Sequence, residues 1–166
     1  MGILTVAVAT LPFKFEGKRK MEVALKGLER LKESVDAYIV IHNQKVSEIS
    51  NKALTIGEAF REVDSILSKA VRGITSIVVT PAVINADFAD VRTTLENGGL
   101  AIIGMGEGKG EEKADIAIEK AINNPLLEGN SINGARRLLV TLWTSEDVPY
   151  STVEEVMEKI SKSVHE

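Results

Sequence analysis

The sequence contains no cysteine, few aromatic residues and no long apolar run. The lack of cysteine excludes disulfides, thiolate metal sites and thiol catalysis, and it fits a reducing cytosol. No apolar run approaches the roughly 20 residues that span a bilayer, and the amino terminus does not have the pattern of a signal peptide. The net charge of -4, with lysine and arginine spread along the chain, argues against a nucleic-acid-binding surface.

The residues that are present have the composition of a globular protein. Hydrophobic residues make up 44% and charged residues 27% of the 166 positions. This length is close to the usual size of one domain, and two small domains are also compatible with it. The chain is therefore expected to fold around an apolar core.

The first part of the sequence predicts a strand, a helix and a second strand. Residues 3–10 and 37–41 are short β-branched runs, and apolar residues recur at helical spacing across 20–34. Elements of these lengths in this order favour a parallel sheet. Two strands alone make a poor sheet, so the sheet is expected to be incomplete.

A long helix is predicted to follow. Thr55 and Glu58 have the spacing of a capping box, and Pro81 ends the helical pattern. The apolar stripe between them lasts about seven turns at 3.6 residues per turn. A helix of this length is long for a small domain, where the mean is about 11–12 residues. It is therefore expected to join two globular units.

The second unit is predicted to contain three helices and two strands. The helices are expected at 87–97, 111–123 and 152–164, and the strands at 100–105 and 137–143. Ser151 and Glu154 have the spacing of a second capping box. With only two strands, this unit is also expected to be incomplete.

The glycine-rich stretch 104–110 invites comparison with a phosphate-binding loop. Such a loop needs a glycine five residues before its Gly-Lys pair and a hydroxyl after the lysine, where this sequence has Ile103 and Gly110. The dinucleotide fingerprint also fails, because no glycine occupies its third position. The stretch is therefore predicted to be a flexible strand-to-helix connection.

Two groups of polar residues are candidates for chemistry. Asp87 and Asp90 lie on one side of the first turn of a predicted helix, with Asn85 just before it. Two carboxylates and an amide at a helix start can orient water or hold a hard cation, although spacing alone favours a plain N-cap and first-turn role. His42 and His165 lack catalytic partners at suitable spacing.

The second group lies where the predicted strands end. Glu16 and Lys20 follow the first strand, and Asn43 follows the second. Parallel sheets bind ligands at these carboxyl ends. Phe60 and Asp64 lie on the long helix. Taken singly, each of these residues also fits an ordinary core or solvated position.

Read together, these segments resemble the tubulin/FtsZ family over nearly the whole chain. The matching motifs are GILTVAV at 2–8, PFKFEG at 12–17, Ala59-Phe60 with Asp64 and Gly73-Ile74, NADFADV at 85–91, GMG at 104–106 and PLLE at 125–128. The resemblance implies an α/β fold with a partial Rossmann-like GTPase half, of βαβ type, joined by a central helix to an incomplete α+β activation domain. The expected domains are 1–54, 55–80 and 81–166. The family's glycine-rich phosphate loop would precede this sequence, and two strands and a tail would follow it, so an interior segment is expected.

The resemblance also implies a function. It indicates a filament-forming GTPase of the bacterial division ring, in the cytoplasm at mid-cell, whose subunits stack head to tail. Asn85, Asp87 and Asp90 match the acidic loop that activates hydrolysis of GTP in the adjacent subunit. The expected nucleotide contacts are Glu16 on the ribose side, Asn43 at the base or ribose, Phe60 stacked on guanine, Asp64 reading guanine, and Lys20 on the phosphate side, where the family often has arginine.

The implied ligands and partners follow from the same resemblance. GTP or GDP is expected, with Mg²⁺ or a monovalent cation, and the isolated chain is expected to be inactive but self-associating. No contact with nucleic acid or membrane is expected. Two other interpretations stay open: a non-catalytic module that caps or regulates FtsZ filaments, and an unrelated α/β protein that binds a small molecule.

Overall fold

A computed structural model describes residues 2–49, 54–79, 88–123, 135–145 and 147–165. The chain divides into two compact units, Met1–Ile102 and Ile103–Glu166. Within the described residues, no helix combines the length and the apolar character needed to cross a bilayer.

The first unit is built on a parallel sheet of three strands in the order β1-β2-β3. The strands are β1 (Val6–Leu11), β2 (Ala37–His42) and β3 (Gly99–Ala101). In the register of the sheet, Ala37 of β2 lies beside Val6 of β1 on one side and Gly99 of β3 on the other. Because β2 is the central strand, its side chains Ala37, Ile39 and Ile41 are buried, whereas most of β1 is only half-buried.

Among the residues of the first unit that the structure describes, four helices surround the sheet. They are α1 (Lys18–Lys32), α2 (Asn43–Ile49), α3 (Ile56–Val79) and α4 (Phe88–Leu95), and a short 3-10 turn covers Lys14–Glu16. The helix α3 buries Ala59, Val63 and Ala70, which fall on one stripe of its surface. Its 24 residues span about 36 Å at 1.5 Å per residue.

The second unit contains α5 (Lys113–Ile122) and α6 (Tyr150–His165). Ala114 and Ile118 of α5 pack against Val156 of α6 in a small apolar core. Lys159 of α6 donates hydrogen bonds to Asp115 of α5 and to Glu155, the latter at 2.6 Å. The pairing raises the pKa of Lys159, chiefly through Asp115.

The glycine-rich stretch owes its composition to packing. A Cβ atom at Gly104 would lie 2.1 Å from the carbonyl oxygen of Ala121, and one at Gly106 would lie 1.8 Å from that of Ala117. At Gly108 the nearest atom would be the carbonyl oxygen of Lys113, at 1.8 Å. All three carbonyls belong to α5, so every second residue must lack a side chain for the backbone to approach the helix. The glycines therefore serve close approach rather than the flexibility that the sequence suggested.

The predicted fold class is confirmed, together with the parallel βαβ unit. The Thr55 capping box is also confirmed: the amide of Thr55 donates to Glu58 Oε2 at 2.8 Å, and the amide of Glu58 donates to Thr55 Oγ1 at 3.3 Å. The predicted domain limits at 54 and 80 stay predictions. The two compact units of the structure meet elsewhere, between Ile102 and Ile103.

Three local predictions were wrong. The strand expected at 100–105 is shorter and joins the first sheet as β3, because it pairs with β2. Residues 135–145 contain no strand, since the described part of the second unit offers no other strand to pair with. The helix α6 begins at Tyr150, so Ser151 lies inside its first turn rather than at the N-cap. The short helix α2 was not predicted.

Candidate functional site

The turn after β1 fixes the carboxylate of Glu16. The amide of Phe13 donates to Glu16 Oε1 at 2.9 Å, and the amide of Glu16 donates to the carbonyl of Phe13 at 3.1 Å. In the first turn of α1, Lys20 donates to Glu16 Oε2. The hydrogen bond from Lys20 is the main cause that lowers the pKa of Glu16, so this side chain is a carboxylate at neutral pH.

Asn43 lies at the same edge of the sheet, directly after β2. Its side chain is buried, and its Oδ1 atom has no hydrogen-bond partner. A buried amide oxygen without a donor costs free energy, which makes this atom a ready acceptor for a ligand or a water molecule. The next residue, Gln44, accepts a hydrogen bond at 3.3 Å from the amide of Lys14 and so joins the start of α2 to the turn after β1.

Phe60 of α3 packs into a cluster of three aromatic rings. The ring centroids of Phe13 and Phe60 are 5.1 Å apart and the rings meet edge to face at 84°. Phe15 stacks on Phe13 with centroids 5.1 Å apart and also meets Phe60 at 6.2 Å. Phe60 nevertheless keeps 38% of its surface exposed, so part of the ring is free to meet a flat ligand. Asp64 lies exposed one turn further along α3.

A cavity of about 250 Å³ lies beside this cluster. It is lined by Phe13, Phe15, Gln44, Leu54, Thr55, Ile56 and Ala59. The lining joins the turn after β1, the start of α2 and the start of α3. None of the five residues predicted to contact nucleotide lines the cavity, so those residues form a surface beside it rather than its walls.

The structure brings Glu16, Lys20, Asn43 and Phe60 to the carboxyl edge of the sheet. The group offers a carboxylate, an unsatisfied amide oxygen and a half-exposed aromatic face. These are groups suited to hydroxyls, ring donors and the flat face of a nucleoside. The orphaned Asn43 Oδ1 is the feature that a bound ligand would satisfy, and on this ground the residues fit a flat ligand that carries hydrogen-bond donors.

Asp90 lies in the first turn of α4, whereas Asn85 and Asp87 fall outside the described residues. The side chain of Asp90 is exposed, and its carbonyl accepts a hydrogen bond from the Thr94 hydroxyl at 2.9 Å. Among the described residues, no group of three or more His, Asp or Glu side chains is placed to hold a metal ion.

The helix α4 lies at the amino edge of the sheet. Arg92 donates to the carbonyl of Gly2 at 3.1 Å, ahead of β1, and the amide of Gly99 donates to the carbonyl of Asp36 at 3.0 Å, ahead of β2. The strands are about 17 Å long at 3.3 Å per residue. Asp90 is therefore separated by the length of the sheet from Glu16 and Asn43.

Sequence reasoning did not identify Phe13, Phe15 or Gln44 as part of this region. The two aromatic residues belong to the PFKFEG motif at 12–17, and Gln44 follows Asn43 directly. Their spacing carries no signal of its own, because the contacts to Phe60 and Lys14 join segments about thirty or more residues apart.

Comparison with known proteins gives matches along the chain. Residues 1–51 match the model of the Tubulin/FtsZ family, GTPase domain, and residues 99–166 match that of the FtsZ family, C-terminal domain. The cell division protein FtsZ of Aquifex aeolicus is 79% identical over 165 residues, and the mitochondrial division protein fszA of Dictyostelium discoideum is 46% identical over 163 residues. These matches cover 99% and 98% of the chain, and 45% and 31% of the relatives.

A solved structure agrees with the sequence matches. The FtsZ dimer of M. jannaschii superposes with a TM-score of 0.82 at 38% identity, covering 98% of this chain and 47% of that one. The chain thus spans less than half the length of these relatives. The family models, the sequence identity and the shared fold all point the same way, and the chain belongs to the tubulin/FtsZ family.

Proposed function

We propose that this chain is part of a filament-forming GTPase of the division ring. In this proposal it supplies the base-side and ribose-side contacts for its own nucleotide, and an acidic loop that activates hydrolysis in the adjacent subunit. Other subunits, stacked head to tail, are its partners, and GTP is the substrate. It acts in the cytoplasm at mid-cell, with no direct contact to membrane or nucleic acid.

The observation that carries the proposal is the separation of the two candidate groups. Glu16 and Asn43 lie at the carboxyl edge of the sheet, while Asp90 lies on α4 at the amino edge. A side chain on one edge cannot reach a nucleotide held at the other edge of the same subunit. Stacking two subunits head to tail would bring opposite edges together, so hydrolysis in trans is the arrangement that uses both groups.

The nucleoside would meet the carboxyl edge through three kinds of contact. Phe60 would stack on the guanine, with Asp64 accepting from its ring donors, and Asn43 Oδ1 would gain the donor it lacks. Glu16 would accept from the ribose hydroxyls. Lys20 is exposed and already paired with Glu16, so it would have to leave that pair to reach a phosphate.

The acidic loop would act by positioning water. Phosphoryl transfer depends mainly on alignment and electrostatic stabilisation, and a carboxylate at the interface can hold the attacking water in line. Asp87 and Asp90 are the two candidates for this role, and Asn85 would orient the same water or the loop.

The proposal is tested by GTP turnover in a mixture. The chain is added to a protein that supplies an intact phosphate-binding half, and phosphate release is measured. The parent chain should stimulate hydrolysis. Asp87→Ala and Asp90→Ala should each lower the stimulated rate by roughly 10²-fold, the size typical of losing a group that assists proton transfer to or from water.

Glu154→Ala, on the exposed face of α6, is the matched control and should leave the rate unchanged. Binding to the partner is measured in parallel by sedimentation. If both aspartate variants bind the partner and stimulate hydrolysis as well as the parent does, the catalytic role is wrong. If the parent binds without stimulating, a non-catalytic module that caps filaments becomes the better interpretation.

A further inference from the structure

Phe13 contacts both residues that the proposed site uses for the base and the ribose. Its side chain is only 2% exposed, although it lines the cavity beside the cluster, so almost none of its surface is open to a ligand. Its ring meets Phe60 edge to face, with centroids 5.1 Å apart. Its backbone amide donates to the Glu16 carboxylate at 2.9 Å. One buried residue therefore touches a base-side group through its ring and a ribose-side group through its backbone.

We propose that Phe13 is a positioning residue that couples recognition of the base to recognition of the ribose. This inference rests on the function proposed above and adds a residue to it. Phe13 contacts no nucleoside atom. It fixes the plane of the Phe60 ring and the direction of the Glu16 carboxylate, so that both groups are in place before the nucleoside arrives.

Two further contacts hold the Phe13 ring and the turn that carries it. Phe15 stacks on Phe13 at 15° between planes, which limits rotation of the Phe13 ring. The amide of the next residue, Lys14, donates to Gln44 Oε1 at 3.3 Å, which ties the same turn to the residue after Asn43. The turn thus connects with Glu16, Phe60 and the start of α2, where Asn43 lies.

An aromatic ring is required for this role, beyond its apolar volume. Edge-to-face contact depends on the flat, polarised ring, and such a pair has a preferred geometry that an aliphatic side chain cannot reproduce. Leucine at this position would keep the site apolar while leaving the Phe60 ring free to change its tilt. Phe13→Leu should therefore loosen the site without emptying the core.

The experiment uses the 166-residue chain with ring-¹³C phenylalanine and guanosine as the probe. The sequence has four phenylalanines, so each ring can be followed separately by NMR. Guanosine carries no phosphates and reports on base and ribose alone. In the parent, the Phe60 signals should shift with millimolar guanosine, while those of Phe88 on α4 should stay fixed.

Two analogues separate the contacts. Inosine lacks the exocyclic amine of guanosine, and 2′,3′-dideoxyguanosine lacks both ribose hydroxyls. The parent should bind both analogues more weakly than guanosine. In Phe13→Leu, guanosine affinity should fall by about three- to tenfold, the range expected for losing one aromatic pair. The preference for guanosine over inosine and the preference for guanosine over 2′,3′-dideoxyguanosine should both decrease, because one residue positions both contacts.

Val91→Ala is the control for stability alone. Val91 is 2% exposed on α4, away from the aromatic cluster, so this variant loses core packing without touching the site. It should keep the affinity and the preferences of the parent. A loss of guanosine affinity in Val91→Ala equal to that in Phe13→Leu would overturn the proposal, because stability alone would then explain the effect.

The remaining outcomes separate the two proposals. Unchanged affinity and preferences in Phe13→Leu would refute the positioning role and leave the proposed nucleoside site standing. If guanosine does not shift the Phe60 signals of the parent chain, the base-side part of the proposed function is wrong. The positioning role of Phe13 is then wrong as well.

Discussion

At the scale of single residues, Glu16 shows how one side chain serves both the fold and the candidate site. Its carboxylate closes the turn by accepting from the Phe13 amide, and it also accepts from Lys20 in the first turn of α1. The side chain of Glu16 is 9% exposed, while that of Lys20 is 63% exposed. The pair is thus anchored at the carboxylate and solvated at the ammonium.

The lowered pKa of Glu16 gives a prediction about pH. A carboxyl group whose pKa is lower in the folded state stabilises the fold above its ordinary pKa, and this contribution disappears as the pH falls through the folded-state pKa. Lys20→Met should therefore destabilise the chain at pH 7, and the difference from the parent should vanish in acid, well below the ordinary Glu pKa of 4.5.

Urea unfolding at a series of pH values measures this difference. Lys18→Met, at the exposed start of the same helix, is the control and should track the parent at each pH. If the free energies of unfolding of Lys20→Met and the parent differ by the same amount down to pH 2, the ion pair with Glu16 is not the cause of the difference.

The sequence predicted some residues of the candidate site and missed others, for a physical reason. Glu16, Asn43 and Phe60 belong to motifs that resemble a known family, and the structure brings them to one edge of the sheet. Phe13 was missed because its importance comes from a contact with α3, and no local pattern encodes a contact across that separation. The orphaned oxygen of Asn43 is likewise visible only in three dimensions.

At the scale of elements, the start of α3 shows a local signal that predicts structure well. The Thr55 hydroxyl accepts from the Glu58 amide, and Glu58 reaches back to the Thr55 amide. Thr55→Ala should lower the free energy of unfolding by about 1 kcal/mol, the typical value for a lost N-cap. Thermal unfolding measures the change.

Thr75→Ala is the matched control, because Thr75 lies within α3 and its hydroxyl donates to the carbonyl of Val71 at 2.9 Å. Alanine is the better helix former, so this variant should equal or slightly exceed the parent in stability. Equal losses in the two variants would show that the cap contributes nothing particular.

The glycine stretch of the second unit gives the opposite kind of prediction. Gly106→Ala places a Cβ atom 1.8 Å from the Ala117 carbonyl oxygen, so the backbone must move away from α5. The cost should be about 1–3 kcal/mol, as for other overpacked sites. Chemical unfolding that follows the second unit measures it.

Gly27→Ala provides the comparison within the same chain. Gly27 lies in α1 with nothing within 4 Å of the added Cβ atom, so alanine should stabilise the helix by about 0.5–1 kcal/mol. If both substitutions stabilise, the close approach of the stretch to α5 is wrong.

Element predictions failed where pairing, rather than pattern, decides the outcome. The apolar run at 137–143 has strand character, yet the described part of its unit holds no partner for it. The strand expected at 100–105 is Gly99–Ala101 in the structure, and it pairs with β2. Helix α2 escaped prediction because seven residues give too few turns for a periodic signal.

At the scale of the whole molecule, β1 is an edge strand among the described residues. Five of its six side chains are half-buried, and large apolar side chains such as Ile3, Val23 and Leu25 are exposed. Edge strands with exposed apolar neighbours promote association. The purified chain should therefore sediment as an oligomer at micromolar concentration.

Val6→Lys, on β1, should shift the oligomer towards monomer because charge on an edge strand disfavours pairing. Leu142→Lys, in the irregular part of the second unit, is the control and should not change the distribution if β1 is the associating edge. A parent chain that sediments as a single monomeric species would contradict the prediction.

The length of α3 sets a dimension for any assembly built from this fold. The helix begins beside Phe13 and Phe15, near the carboxyl edge of the sheet, and it contacts α4, which lies at the amino edge. Its length of about 36 Å therefore sets the distance between the carboxyl-edge and amino-edge faces that head-to-tail stacking would bring together. Inserting one residue between Ala59 and Val63 would rotate the rest of α3 by about 100°. Val63 and Ala70 would then leave the buried stripe that they share with Ala59. Removing seven residues, close to two turns, would nearly keep the phase and shorten the repeat by about 10 Å. In the proposed head-to-tail stack, the repeat distance would therefore depend on the number of residues in α3.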